Sequence, residues 1–226
     1  MEEIKRVLGE KAAMMIKDGQ VVGLGSGSTV EKFIESLGRR IKSEDLEIIG
    51  IPSSYQSLIL ALENGIKVGS LNEYTPEITV DGADEIDQRK FMVKGGGSAL
   101  LREKILMSCS KDVLVIVDET KLVEKISVGF VPIEVVKFGF KRTMDKISEL
   151  GAKKVNLRVS PGKVGPIISD NGNIILDAFF GEINDPPSLE KELNSLPGVV
   201  ENGIFTVRPK VLIGKRDGEG IKVAPG

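Results

Sequence analysis

The chain repeats one pattern: a short apolar segment typical of a strand is followed at once by a polar or glycine-rich cluster. Segments with helical apolar spacing separate these strands. Alternating strands and helices predict an α/β fold, a mostly parallel sheet with helices on both faces. Because the carboxyl ends of parallel strands share one edge of a sheet, where ligands bind, we expect the clusters to meet there. The clusters are GSGST, SS, DGADE, KGGG and DETK.

The strands of this pattern can be assigned from their apolar residues. We predict strands at 21–24, 47–51, 78–80, 91–93 and 113–117, and helices at 1–18, 30–37, 58–63 and 99–108.

Near residue 127 the pattern changes. The order becomes β-α-β-β-α-β, which predicts a small α+β domain of the ferredoxin-like type. We expect residues 1–127 and 204–226 to form the larger domain and 128–203 the smaller, inserted one. Candidate strands here are 131–136, 154–159, 166–169, 174–178 and 199–200, with helices at 142–150 and 188–196 and a hairpin turn at 170–173. Residues 211–213 could supply one last strand of the larger domain.

Composition limits the chemistry. The chain has no histidine, so imidazole bases and histidine metal ligands are excluded. Its single cysteine, Cys109, excludes a disulfide framework and most zinc sites, and we expect it to be a buried apolar residue. The 31 basic and 33 acidic residues give a net charge of −2, which argues against a dedicated nucleic-acid or membrane-surface binder.

Targeting signals are not evident. No segment approaches the ~18 apolar residues of a membrane span, and the acidic start, Met1–Glu3, is unlike a signal peptide. We expect a soluble intracellular protein without a membrane partner.

The GSGST cluster has the features of a phosphate-binding loop. Glycines allow close backbone approach, the next helix offers free N–H groups, and Ser26, Ser28 and Thr29 offer hydroxyls. The alternative is a plain turn with Thr29 capping the helix. A dinucleotide fingerprint would need glycine at Val30, and a Walker loop would need a lysine after Gly27, so NAD and ATP are disfavoured.

The DGADE cluster places Asp81, Asp84 and Glu85 at a strand end. Like charges repel, so a ligand or cation would explain them. The alternative is a solvated turn in which an aspartate bonds its own backbone. The spacing of an EF-hand is absent, so calcium is not implied.

The segment KGGGSALLREK places Lys94 before three glycines and Glu103 on the next helix. Ordering three glycines is costly, which suggests a close backbone contact. Apolar neighbours would suit Glu103 as a general base. In the alternative, Glu103 is a surface residue paired with a basic neighbour. Lys121 and Lys5 are candidate phosphate counter-charges or ordinary surface lysines.

Together these motifs resemble ribose-5-phosphate isomerase, type A, over nearly the whole chain. The resemblance implies a Rossmann-like domain with a smaller α+β lid domain, and a cytoplasmic homodimer or homotetramer. It also implies interconversion of ribose 5-phosphate and ribulose 5-phosphate, without cofactor or metal, in the non-oxidative pentose phosphate pathway. The motifs are GSGST, IPSS, VDGADEID, KGGGSALLREK, DETK, SDNGNIILD and PGVVENGIF.

The resemblance also assigns residues. Glu103 matches the proton-transferring base, assisted by Asp81, Asp84 and Lys94. Ser98 and Asn202 stand where alanine and histidine are usual in the family. The substrate-binding positions it implies are Ser26, Gly27, Ser28, Thr29, Asp81, Gly82, Ala83, Asp84, Lys94, Gly95, Gly96, Gly97 and Lys121, with Lys5 as a further phosphate contact.

Two other functions remain open from the residues alone. One is a sugar-phosphate-sensing module, which in transcription regulators accompanies a helix-turn-helix. The other is a relative of the coenzyme A transferases, in which the catalytic glutamate would stand elsewhere.

Overall fold

The computed structural model describes residues 1–126, 129–218 and 220–226. Within them the chain forms two compact units. The first comprises residues 1–83, 102–121 and 208–226, and the second comprises 84–101 and 122–207. The predicted boundary at residues 127 and 128 lies outside the described residues, and the predicted division stays a prediction.

Helices and strands alternate along the chain. The helices are α1 (Glu2–Ala13), α2 (Ser28–Glu44), α3 (Tyr55–Glu63), α4 (Leu100–Cys109), α5 (Phe140–Glu149) and α6 (Pro186–Asn194). The strands are β1 (Val21–Leu24), β2 (Ile49–Pro52), β3 (Lys67–Val68), β4 (Ile78–Asp81), β5 (Glu85–Ile86), β6 (Met92–Val93), β7 (Asp112–Asp118), β8 (Val131–Val135), β9 (Lys154–Leu157), β10 (Ile174–Phe179), β11 (Val199–Asn202), β12 (Ile204–Phe205), β13 (Lys210–Asp217) and β14 (Gly220–Pro225).

The first unit is built on a sheet with the strand order β14-β13-β7-β4-β1-β2-β3. All neighbours are parallel except β14, which runs antiparallel to β13. The core that includes α1 and α2 lies on the face of Val22 and Leu24, while a Cβ on Gly23 would lie 3.1 Å from Leu106 of α4. Successive strand residues face opposite ways, so helices cover both faces and the predicted α/β fold is confirmed.

Helix α2 shows why the apolar spacing is informative. Its residues Val30, Phe33, Ile34 and Leu37 recur at the spacing of one helix face and are all buried. Gly9 lets α1 approach this helix, because a Cβ there would lie 2.5 Å from the carbonyl carbon of Lys32. None of the described helices has both the length and the apolar character needed to cross a membrane.

The second unit contains an antiparallel sheet with the order β11-β8-β10-β9. With α5 and α6 its elements follow one another as β8-α5-β9-β10-α6-β11, which confirms the predicted ferredoxin-like arrangement. Its core joins the sheet to both helices through Ile133, Ile147, Leu176 and Leu193.

The strand before the KGGG cluster was expected in the parallel sheet, and this expectation is wrong. β6 instead lies between β5 and β12 in a separate antiparallel sheet of the second unit. The connection from β5 to β6 spans only residues 87–91, whereas a parallel crossover needs about a dozen residues or more. The five clusters therefore do not all end strands of one parallel sheet.

Three smaller differences from the predicted elements and burial are local. Residues 166–169 form only isolated bridges, since Pro166 has no N–H to donate to a ladder. The last strand extends to residue 217 and is followed by β14, which was not predicted. Cys109 is exposed at the end of α4 rather than buried.

Candidate active site

The loop after β1 is packed directly against Asp81. Gly25 donates its N–H to the carbonyl of Val80 on the neighbouring strand (2.9 Å). A Cβ on Gly25 would lie only 2.2 Å from Cγ of Asp81. The next residue, Ser26, donates its N–H to Oδ1 of Asp81 (3.2 Å). The structure thus brings together two of the predicted site residues, Ser26 and Asp81.

Asp81 is the last residue of β4, and it is fully buried. Its Oδ1 also accepts a hydrogen bond from the N–H of Gly82 (2.8 Å). The alternative of a solvated turn is therefore wrong for Asp81, which is buried although it does bond its own backbone, whereas Asp84 is exposed. A buried carboxylate at the carboxyl edge of a parallel sheet is a typical position for a substrate-binding group.

Serine hydroxyls from the end of β2 support the same loop. The hydroxyl of Ser26 donates to that of Ser54 (2.7 Å) and lies 2.9 Å from that of Ser53. Ser54 also caps α3, accepting from the N–H of Ser57 (3.1 Å). The cluster SS was expected at this edge of the sheet, although neither Ser53 nor Ser54 was assigned to substrate binding. The signal for them was their position after a strand of the same sheet.

Helix α2 begins at the predicted phosphate loop. Its N-cap is Gly27, with φ = 100°, so the alternative in which Thr29 caps the helix is wrong. Gly27 donates its N–H to Oε1 of Gln56 (2.9 Å). Ser28 and Thr29 occupy the first turn, where N–H groups and the helix dipole favour an anion. Phosphate binding by Ser26, Gly27, Ser28 and Thr29 stays a prediction.

Glu103 lies in the first turn of α4, and only 4% of the residue is exposed. The alternative of a surface glutamate is therefore wrong. Lys121 ends a short 3-10 turn, Glu119–Lys121, directly after β7. This turn is held by the carboxylate of Asp118, which accepts hydrogen bonds from the N–H (3.0 Å) and the hydroxyl of Thr120. Lys121 is half-buried there.

Lys5 lies near the start of α1, where its ammonium contacts the carboxylate of Glu2 (2.9 Å). This hydrogen bond lowers the pKa of Glu2. The structure thus gives Lys5 a partner on its own helix, and its predicted phosphate contact stays a prediction.

In the second unit, Asp84 and the glycine run are joined. Asp84 donates its N–H to the carbonyl of Val93 (2.9 Å), and its Oδ2 accepts from the N–H of Gly96 (2.7 Å). A Cβ on Gly96 would lie 2.8 Å from Oδ1 of Asp84, whereas one on Gly97 would meet open space. Asp84 itself is exposed.

We call residues Gly95–Ser98 the glycine loop. Gly95 has φ = 102°, and its carbonyl accepts from the N–H of Ser98 (2.9 Å), which closes a tight turn. Lys94, which precedes the loop, is only 3% exposed, and its ammonium lies 5.6 Å from the centroid of the Phe205 ring. Lysine is rarely buried this deeply, and a buried ionisable group beside a glycine loop is a candidate for a functional role.

One residue that contacts the glycine loop carried no sequence signal. Arg158 donates from Nη1 to the carbonyl oxygens of Gly95 (2.6 Å) and Gly96 (3.1 Å) and to the hydroxyl of Ser98 (3.1 Å). The partners are 60 to 63 residues away in the sequence, and their meeting depends on the fold alone.

Among the described residues, no group of three or more cysteine or carboxylate side chains is arranged to hold a metal ion. The site residues are instead carboxylates, ammonium groups, hydroxyls and glycine N–H groups. Such groups bind hydroxylated, anionic small molecules and move protons. The α/β fold and the chemistry of these predicted residues fit an enzyme that works by acid–base catalysis.

Comparison with known proteins gives the family. The model of the ribose 5-phosphate isomerase A (phosphoriboisomerase A) family matches residues 49–218. The chain is 48% identical over 221 residues to ribose-5-phosphate isomerase A of Methanothermobacter thermautotrophicus, covering 97% of this chain and 96% of the relative. It is 48% identical over 197 residues to that of Archaeoglobus fulgidus, covering 86% of this chain and 87% of the relative.

Solved structures agree with this. Ribose 5-phosphate isomerase A of Methanocaldococcus jannaschii superposes with a TM-score of 0.93 at 41% identity, covering 100% of this chain and 99% of the other. A D-ribose-5-phosphate isomerase in complex with phospho-erythronic acid superposes with a TM-score of 0.94 at 42% identity, with the same coverage. The chain belongs to the ribose 5-phosphate isomerase A family, and the predicted resemblance is confirmed. These matches favour the isomerase over the sensing module and the coenzyme A transferase relative.

Proposed function

We propose that this chain interconverts D-ribose 5-phosphate and D-ribulose 5-phosphate by proton transfer through an enediolate, with Glu103 as the base. Its family membership supports the activity. The observation that carries the role of Glu103 is its burial on the first turn of α4, a few residues after the glycine loop. A carboxylate positioned by the fold can take a proton from one carbon and deliver a proton to the next.

The proton and electron shifts balance without a further reactant. Glu103 removes the proton from C2 of the open-chain aldose, the C2–H electron pair forms the C1–C2 double bond, and the carbonyl pair moves to O1. The hydroxyl proton of O2 then passes to O1 as the carbonyl forms at C2. Glu103 delivers its proton to C1. Positioned acid–base catalysis of this kind contributes about 10²- to 10⁴-fold in rate.

The negative charge that develops on oxygen requires a cation or N–H donors. We assign this to Lys94 and to backbone N–H groups of the glycine run other than that of Gly96, which is donated to Asp84. The burial of Lys94 supports the assignment, because a poorly solvated ammonium interacts strongly with an oxyanion. One preorganised donor contributes about 10²- to 10³-fold.

The remaining residues bind the substrate in this proposal. Asp81 accepts hydrogen bonds from sugar hydroxyls and assists opening of the furanose ring, and Asp84 orients the substrate. Its hydrogen bond from the N–H of Gly96 fixes the carboxylate of Asp84 for that task. Gly82 and Ala83 line the same stretch. The phosphate is bound by Ser26, Gly27, Ser28, Thr29, Lys121 and Lys5.

The test is the substitution Glu103→Gln, which keeps the side chain's shape and removes its basicity. We expect turnover of ribose 5-phosphate to fall by about 10²-fold or more, while the Kd for phospho-erythronic acid stays within a few-fold of wild type. In heavy water the wild-type product should carry deuterium, and EDTA should not lower the rate. The matched control is Glu63→Gln, on the exposed side of α3. Turnover retained in Glu103→Gln would overturn the assignment.

A homodimer or homotetramer in the cytoplasm completes the proposal. Large apolar side chains exposed on the described residues support self-association. On α3 they are Tyr55, Ile59 and Leu62, at 55%, 53% and 61% exposure, and after β8 Phe138 is 93% exposed. Light scattering on the wild type gives the oligomer size, and a monomeric mass would overturn this part.

A further inference from the structure

We propose that Arg158 is a positioning residue for the isomerase reaction, because it holds the carbonyl side of the glycine loop and so sets the direction of the loop's N–H groups. The inference rests on the proposed function, in which these N–H groups serve the substrate. All residues that carry it belong to the second unit.

The contacts come from one nitrogen of the guanidinium. Nη1 of Arg158 is shared by the carbonyl oxygens of Gly95 (2.6 Å) and Gly96 (3.1 Å) and the hydroxyl of Ser98 (3.1 Å). A guanidinium is a donor at every accessible pH, so its partners must present oxygen toward it.

Peptide geometry turns these contacts into a constraint on the opposite side of the loop. In a planar trans peptide the C=O and the following N–H point in opposite directions, and no described peptide bond is cis. With the Gly95 carbonyl on Arg158, the N–H of Gly96 points away from it, where it donates to Asp84 (2.7 Å). With the Gly96 carbonyl also on Arg158, the N–H of Gly97 points away from it as well.

The loop needs such a constraint. Glycine populates both halves of φ space, so a run of glycines can flip a peptide plane easily. A flip would replace an N–H donor with a carbonyl oxygen, which would repel a developing oxyanion. At the end of the run, Ser98 has φ = 65°, which is uncommon for a non-glycine residue. The hydrogen bond from Arg158 to the hydroxyl of Ser98 helps to hold that conformation.

The arginine is itself fixed from the other side. Its Nε donates to Oδ2 of Asp177 on β10 (3.0 Å), and its Nη2 donates to Oδ1 of the same carboxylate. The two side chains are 13% and 20% exposed, so the pair is mostly buried. A bidentate pair of this kind fixes the plane of the guanidinium. Lysine offers one point charge and cannot contact the carboxylate and both carbonyls in this way.

The experiment compares Arg158→Lys, Arg158→Ala and the control Arg142→Ala with wild type. Arg158→Lys keeps a cation opposite Asp177 and thereby protects the fold. Arg142 lies on α5 of the same unit, with its side chain 89% exposed beside Asp145. We expect kcat for ribose 5-phosphate to fall about 10²-fold in both Arg158 variants, since small displacements of catalytic groups have effects of this size. Arg142→Ala should match wild type.

Two readouts separate positioning from a purely structural role. Guanidinium chloride at millimolar concentration, with chloride held constant, should raise kcat of Arg158→Ala several-fold and leave wild type unchanged. The ¹H–¹⁵N resonance of Gly97 should shift in Arg158→Lys and not in Arg142→Ala. A structural role alone would lower Tm while kcat per folded molecule stayed constant.

The outcomes are distinguishable. Folded Arg158 variants with kcat within twofold of an active wild type overturn the role of Arg158 and leave the proposed function standing. A wild-type chain that does not isomerise ribose 5-phosphate overturns the proposed function, and the role of Arg158 with it.

Discussion

Gly25 and Asp81 are so close that no side chain fits at position 25: a Cβ there would lie 2.2 Å from Cγ of Asp81. The closeness follows from strand pairing, because β1 and β4 are parallel neighbours with Leu24 opposite Val80. The next residues along the chain, Gly25 and Asp81, therefore lie side by side. The glycine is required here by space, since the carboxylate of Asp81 occupies the position that a methyl group would take.

We predict that Gly25→Ala displaces the carboxylate of Asp81 or the loop after it. Overpacking of this kind costs about 1–3 kcal/mol of the free energy of unfolding, and a displaced substrate-binding group costs about 10²-fold in kcat/KM. Thermal unfolding and steady-state kinetics measure the two effects. Gly162→Ala is the control, because a Cβ there meets no atom within 4 Å. Wild-type kcat/KM in Gly25→Ala would contradict the role of this contact.

The glycine loop allows packing and substrate binding to be separated. A Cβ on Gly96 would lie 2.8 Å from the carboxylate of Asp84, whereas a Cβ on Gly97 would meet no atom within 4 Å. We predict that Gly96→Ala lowers both Tm and kcat/KM. Gly97→Ala should leave Tm nearly unchanged and still raise KM for ribose 5-phosphate, because the added methyl enters the space that the substrate would use.

Differential scanning fluorimetry and initial rates are sufficient for this pair. If Gly97→Ala has the KM of wild type, the substrate does not approach the loop at Gly97, and the binding role of that residue is lost.

Arg40 on α2 binds the end of α1. Its guanidinium donates to the carbonyl oxygen of Ala13, the last residue of α1, and to that of Ile16 just beyond the helix (2.9 Å). Such carbonyls have no partner within their own helix. We predict that Arg40→Met lowers the free energy of unfolding by about 1–3 kcal/mol with little change in kcat. Chemical denaturation measures it, and Arg39→Met, a more exposed neighbour, is the control.

The same arginine predicts a pH dependence. Its hydrogen bond lowers the pKa of Glu44 below the usual 4.5. Because the pKa is lower in the folded state, the pair stabilises the protein above the unfolded pKa. That contribution is lost as the pH falls below 4.5 and through the lowered folded value.

Glu44→Gln should therefore lower Tm slightly at pH 7. As the pH falls below about 5, the Tm of this variant should decrease less steeply than that of wild type. The carboxylate is exposed, so the effect is small, and 1 M salt should weaken it further. Curves of Tm against pH that stay parallel for wild type and Glu44→Gln would show that this pair does not contribute.

Periodicity determined most of the secondary structure. Strand β1 follows from a short, continuous apolar run, which is typical of a buried strand. The apolar face of α2 follows from helical spacing. The motifs identified the family through their resemblance to it. That resemblance also assigned roles to Glu103 and Asp81, and both residues are buried. Sequence alone could not decide whether Glu103 is buried or at the surface, because a helix of mixed composition fits either environment.

The tertiary structure decided which of the expected clusters meet and through which atoms. The hydroxyls of Ser26, Ser53 and Ser54 converge because parallel strands end at one edge, whereas β6 left that sheet because its connection to β5 is too short for a crossover. Arg158 reaches Gly95 across the second unit although nothing in the local sequence marks it. Local patterns report how each segment contacts its own surroundings. A contact between distant segments depends on chain topology, which local spacing does not encode.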